Sequence, residues 1–260
     1  MKSISREREQ GSNYVLKSLV GLGEEFFHNY YDEKPISFVS VFEKPLLSTD
    51  DLDDFISSRV LRSPTDLRVC RNGSAIDLNS YSNPVNTSNA SMGHSQERIL
   101  APESLDGLLN KGCTLVFQGL HHHLSQMMDF CNRLSLDLKS QVGANAYLSP
   151  PHAIGGNHFD YHDVFILQLE GEKSWTICRP QVLSPNEKTA TQADTPGEVV
   201  LECTLNAGSG LYLPKGYWHC CETGDSTSLH LTLSTANYTS SEWLSAAINQ
   251  FINEDPYRIS

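Results

Sequence analysis

His158 and Asp160 stand two residues apart in HFDYHD, just ahead of the run DVFILQLEGEKSWTIC, and a further histidine, His219, closes the much later segment LYLPKGYWH. In extended backbone residues i and i+2 project to the same side, so both members of the pair can reach one point while Phe159 packs behind them. His219 follows the strand-like stretch from Gly210 to Leu213 and the turn Pro214-Lys215-Gly216. It can join the pair only in a fold that lays two distant strands side by side. Two imidazoles and one carboxylate on one face of a six-coordinate ion leave three positions open, the arrangement that suits non-haem Fe(II) oxygen chemistry. The spacing alone is a weak signal. The full pattern carries more: HxD at the start of a strand hairpin, a turn at Gly171, a basic residue opening the return strand, and a distal histidine behind a Pro-Gly turn. His158, Asp160 and His219 are therefore the expected metal ligands and catalytic centre.

At 260 residues the chain can bury a large core and remain one domain, as barrels and sandwiches of this length do. Hydrophobic residues at 39% and charged residues at 19% give a globular balance. The formal net charge of −12 argues against nucleic acid, because phosphate binding relies on Lys and Arg, and makes a basic polypeptide the better partner. Seven scattered cysteines without CxxC spacing fit reduced thiols in a cytoplasmic protein rather than a disulfide frame. The adjacent Cys220 and Cys221 read as core filling. No segment approaches the ~20 apolar residues needed to span a bilayer, so no membrane is expected.

In chain order the periodicity predicts a helix over 14–31 and another capped at Ser48, carrying Leu52, Phe55 and Ile56. Leu67 to Arg71 reads as a strand closed by the turn Asn72-Gly73. Residues 79–96 are Ser/Asn-rich and read as a surface loop. A short helix near Leu105 and a strand from Cys113 to Phe117 follow. A helix from about His123 to Leu136 comes next, with Leu124, Met127, Met128, Cys131 and Leu134 inward. The triple His121-His122-His123 reads as the entry to that helix, since three consecutive side chains cannot converge on one ion. Strands are then expected at 141–148, 164–169, 174–178, 199–204, 210–213 and 229–233, with a polar excursion over 181–198. The fold class is mostly β, a barrel or double-sheet jelly roll over 141–238, preceded by a mixed helical part over 1–140. A helix from Ser241, with Trp243, Leu244, Ala247, Ile248, Phe251 and Ile252 on one stripe, ends the chain and needs a partner surface in the chain or on a second subunit, so a homodimer is possible.

Lys173 opens the return strand, where its ammonium can anchor a small dicarboxylate. In LHLTLST the leucines alternate with His230, Thr232 and Ser234, so one face of a core strand is polar and needs a ligand or hydrogen-bonding partners. Asn145 and Tyr147 share a face of their own strand and can complete the pocket.

The ordered segments ANAYLSPP, HFDYHDVFILQLEGEKSW, LYLPKGYWH and SLHLTLST closely resemble those of JmjC-domain, cupin-like 2-oxoglutarate oxygenases of the ribosomal-oxygenase type. FFHNYYDEKPI, LSTDDLDDFI and LRVCRNG extend the likeness into the front half. The resemblance implies a double-stranded β-helix core, an Fe(II) triad at His158, Asp160 and His219, and Lys173 as the salt bridge to the co-substrate's distal carboxylate. Asn145, Tyr147 and Thr232 fall at pocket positions of the family. It also implies 2-oxoglutarate and O2 as co-substrates and hydroxylation of an amino-acid side chain in a protein or peptide. A small molecule or biosynthetic peptide, demethylation, and a non-catalytic metal-binding cupin stay open beside it. Such proteins usually continue into a helical dimerisation region and a winged-helix domain, which is not expected here. His152, His162 and His230 receive no catalytic role.

Overall fold

The computed structural model describes residues 14–39, 45–58, 60–85, 98–180, 196–236 and 248. Its front half runs α1 (Tyr14–Val20), α2 (Glu24–Asn29), β1 (Ile36–Val39), α3 (Thr49–Ser57), β2 (Leu67–Arg71), β3 (Ser74–Ala75), β4 (Ser82–Pro84), β5 (Arg98–Leu100), α4 (Leu105–Leu109), β6 (Thr114–Phe117) and α5 (Ser125–Leu138). The rest is β: β7 (Val142–Ser149), β8 (Ile154–His158), β9 (Val164–Glu170), β10 (Glu172–Cys178), β11 (Val199–Asn206), β12 (Ser209–Leu213), β13 (Trp218–Thr223) and β14 (Ser228–Thr235). An eight-stranded sheet has the order β1-β12-β9-β14-β7-β6-β2-β3, a four-stranded sheet the order β11-β10-β13-β8, and β4 pairs with β5 alone. Neighbouring strands are antiparallel throughout. This is the mostly β jelly-roll class expected.

Burial explains the layering. In β9 every residue from Val164 to Gln168 is buried, and the apolar run Val164 to Leu167 is that of a strand covered on both faces. Phe165 and Leu167 join the core on the helix side, where Phe26, Phe55, Met127 and Leu134 also pack. Val164 and Ile166 join a second core with Trp175, Ile177, Leu205, Leu211 and Leu213 from both sheets. In β14 the buried Leu229, Leu231 and Leu233 go to the helix-side core, which turns His230 and Thr232 the other way. Each fully buried large side chain contributes about 1.5–3 kcal/mol.

Several elements depart from expectation for local reasons. The helix over 14–31 is two helices, because Gly21 and Gly23 both take positive φ (77° and 57°) and end the first hydrogen-bond ladder. The helix expected from His123 starts at Ser125, after a 3-10 turn over Leu120–His122. Its inner face is Met127, Phe130, Cys131, Leu134 and Leu138, while Met128 is half exposed. The stretch read as a loop from residue 79 begins with Tyr81, 1% exposed, and β4. The rest of that loop over 86–97, residues 181–195, and the C-terminal helix apart from Ile248 lie outside the described residues. All seven cysteines are free thiols.

Candidate metal centre

The pairing of β8 with β13 builds the site. In that register His219 stands directly across from His158, and their rings lie 4.3 Å apart between centroids. Asp160 follows two residues past the end of β8, so the HxD pair sits where a strand ends rather than where a hairpin starts. The turn behind Leu213 is sewn to this segment: Gly216 N–H donates to the Asp160 carbonyl at 2.9 Å, and Lys215 N–H donates to Asp163 Oδ1 at 2.9 Å. Tyr212 Oη donates to Asp163 Oδ2 at 3.0 Å. One ligand-capable atom from each of His158, Asp160 and His219 lies within 4.8 Å of the others.

The protonation of the rings suits a cation. His158 Nδ1 is 2.8 Å from the Gly156 carbonyl and His219 Nδ1 is 3.0 Å from the Tyr217 carbonyl. A carbonyl only accepts, so each Nδ1 carries a hydrogen and each ring turns its Nε2 away from that carbonyl. Burial, then the neighbouring His158, pull the His219 imidazole down to about 4, which keeps it neutral. His219 Nε2 lies 3.7 Å from Asp160 Oδ2. Two imidazoles and a carboxyl group thus converge on one point.

A cavity of about 600 Å³ extends from these residues between the two sheets. Lys173 lines it, 3% exposed, with Nζ donating to Ser149 Oγ at 2.9 Å and lying 3.3 Å from His230 Nδ1. Burial lowers the pKa of this ammonium from the usual lysine range and holds His230 well below the usual histidine range. Tyr147 and Thr232 also line the cavity. Asn145 shares the β7 face of Tyr147 but is not among the lining residues. Its Oδ1 instead accepts from Gly119 N–H at 2.9 Å, fixing the turn that leads into α5. Cys220 and Cys221, expected to fill core, are partly buried and border the cavity, and Cys221 also packs against the second core.

A family model for the JmjC domain matches residues 118–243, which carry the triad, Lys173 and all strands from β7 to β14. Over these residues the chain is a JmjC domain. Ribosomal oxygenase 1 of Danio rerio is 30% identical over 229 residues, which cover 85% of this chain and 39% of that protein. Ribosomal oxygenase 2 of Bos taurus is 29% identical over 236 residues, covering 85% and 46%. The chain spans less than half the length of either relative. Among solved structures, Escherichia coli ribosomal oxygenase YcfD superposes with a TM-score of 0.62 at 18% identity, over 89% of this chain and 56% of that one. YcfD in complex with cobalt and 2-oxoglutarate gives 0.60 at 18% identity over the same shares.

Three residues of this JmjC cavity escaped the sequence reading, Arg68, Ser149 and Trp175, while His230 was placed on a polar strand face without a catalytic role. His230 stacks on Tyr147, with centroids 4.7 Å apart and planes 6° from parallel, and Trp175 meets His230 edge-on at 5.6 Å. The alternation of β2 was the available signal for Arg68: Leu67 and Val69 are fully buried, which puts Arg68 and Cys70 on the opposite, cavity-lining face.

Proposed function

We propose that this chain is an Fe(II)- and 2-oxoglutarate-dependent oxygenase that hydroxylates an amino-acid side chain of a protein or peptide. The observation that carries the reading is one cavity holding both the His158, Asp160 and His219 cluster and the buried ammonium of Lys173. Its relatives named as ribosomal oxygenases support a protein substrate, and the cobalt and 2-oxoglutarate complex of YcfD supports the pair of cofactors.

The residues divide the work. His158 and His219 would hold the metal through Nε2 and Asp160 through a carboxylate oxygen, with their backbone partners fixing each ring's orientation. Fe(II) held there supplies the oxidation chemistry, in which 2-oxoglutarate, O2 and a C–H bond become succinate, CO2 and a C–OH group. Lys173 pairs with the distal carboxylate, and Ser149 and His230 keep its Nζ aimed. Tyr147 and Thr232 add hydrogen-bonding groups to the same wall. Val164, Ile166 and Trp175 make the adjoining wall apolar, which excludes water and strengthens each ionic contact.

Succinate formation from 2-oxoglutarate tests the reading. It should require Fe(II) and vanish in His158→Ala and Asp160→Ala. Turnover that persists in either variant, or that ignores 2-oxoglutarate, overturns it. Peptides from a lysate separate the outcomes by mass, with a gain of about 16 Da for hydroxylation and a loss of about 14 Da with formaldehyde for demethylation.

A further inference from the structure

A second cation, Arg68, lines the cavity half-buried, with its Nε out of reach of solvent. Arg68, Val116, Tyr147 and His230 are cross-strand partners in one row over β2, β6, β7 and β14, and all four line the cavity. Lys173 touches the His230 end of the row. Arg68 occupies the other end, on the Tyr147 side of the row. The two cations therefore flank the stacked Tyr147 and His230 rings. The Arg68 Nε–H is buried and meets no acceptor. An unpaired buried donor is uncommon, and one on a charged group is more costly than one on a neutral group.

Charge counting shows what is missing. Among the described residues that line the cavity, Asp160 is the one carboxylate, and the metal claims it. A divalent cation, Asp160, a dicarboxylate and the Lys173 ammonium sum to zero. Arg68 is left over, a half-buried positive charge on the cavity wall. A guanidinium matches a carboxylate edge-on through Nε–H and Nη–H.

We propose that Arg68 selects the substrate of this oxygenase, and that the group it takes is the carboxylate of an acidic side chain, Asp or Glu, in a peptide. The inference rests on the oxygenase reading above and adds a substrate class to it. The whole-chain negative charge makes a basic polypeptide a good encounter partner, but encounter and selection are different steps. The group admitted to the cavity is set by the charges inside it.

The test uses the full chain loaded with Mn(II) and 2-oxoglutarate under anaerobic conditions. Binding is measured by calorimetry to four peptide pools that differ at one central position: Asp/Glu, Asn/Gln, Lys/Arg or Ala. The acidic pool should bind the wild type at least about tenfold more tightly than the amide pool. Arg68→Gln should erase that difference while moving 2-oxoglutarate affinity less than about threefold, and Arg68→Glu should favour the basic pool. Equal binding of the acidic and amide pools by wild type, or an unchanged preference in Arg68→Glu, overturns the inference. So does a loss of 2-oxoglutarate affinity of more than about tenfold in Arg68→Gln, which would give the residue to the co-substrate. Failure of the wild type to bind 2-oxoglutarate with Mn(II) overturns the oxygenase reading, and it is measured before any peptide is added.

Discussion

Lys173 is an expensive residue to fold. Its ammonium is 3% exposed, its partners Ser149 and His230 are both neutral, and burial lowers its pKa from the ordinary lysine range. A charge kept dry without a counterion serves a ligand better than it serves the fold. Lys173→Met should therefore leave the melting temperature of the unliganded protein unchanged or higher, while weakening 2-oxoglutarate binding roughly 10- to 100-fold, the worth of a charge-assisted pair. Calorimetry on the Mn(II) form measures the binding and a thermal melt the stability. The pH dependence has two opposite signs. Between the lowered folded pKa of Lys173 and the unfolded value of 10.5, the unfolded chain binds more protons, so folding stability rises with pH. Over the same window the charged form is lost from the folded state, so 2-oxoglutarate affinity falls with pH. Lys173→Arg keeps its charge at every accessible pH and should flatten the affinity profile. A wild-type affinity independent of pH up to the ordinary lysine range would contradict the assignment.

At the scale of elements, Asp163 couples the start of β9 to the turn that delivers His219. It accepts from Lys215 N–H and from the buried Tyr212 hydroxyl, and that hydroxyl in turn accepts from Asp32 N–H at 2.8 Å. Asp163→Ala strands these donors and should cost about 1–3 kcal/mol for each one left dry. The loss is readable as a lower urea midpoint with unchanged slope, together with weaker metal binding because the 214–216 turn loses one of its two ties to the 160–163 segment. The same scale shows what the sequence made legible. The strands β9, β10, β12 and β14 announce themselves by apolar runs or alternation, and Lys173 and Thr232 follow from their strand positions. By contrast β8, with the sequence Ile-Gly-Gly-Asn-His, has no apolar alternation and its ends are exposed, so nothing local marks it as a strand. Its glycines answer to a distant partner. A Cβ on Gly156 would come within 2.8 Å of Gly73 Cα, at the turn of the β2–β3 hairpin that closes over the cavity. Only the assembled fold reveals that contact, and that the face of β2 opposite Leu67 and Val69 lines a cavity. Asn145 went the other way: its strand face was read correctly, but the need of Gly119 N–H for an acceptor was invisible in the sequence. Gly156→Ala should crowd the hairpin and destabilise the protein by about 1–3 kcal/mol.

At the scale of the molecule, helices cover one face of the large sheet and the small sheet covers the other, with the cavity between the sheets. The metal cluster belongs to the small sheet and its connecting loop, with His158 on β8 and His219 on β13, while Thr232 and Tyr147 belong to the large sheet. A metal and a dicarboxylate bound there touch both layers at once. The unfolded chain cannot reproduce the site, because His219 lies far in sequence from the His158 and Asp160 pair and meets it only through β8–β13 pairing. Binding free energy therefore appears as folding free energy. At one hundred times the dissociation constant a ligand adds about 2.7 kcal/mol. At ~2–4 °C per kcal/mol for a chain of this size, the melting temperature should rise by about 5–10 °C. The order of addition discriminates. Mn(II) alone should stabilise wild type, 2-oxoglutarate alone should do little because its chelating end lacks the ion, and both together should exceed the metal by more than the sum of the separate shifts. Asp160→Ala should abolish all three responses, and Lys173→Met should keep the first and lose the third. A 2-oxoglutarate shift that survives in Asp160→Ala without metal would place the dicarboxylate elsewhere and break the link between the two sheets.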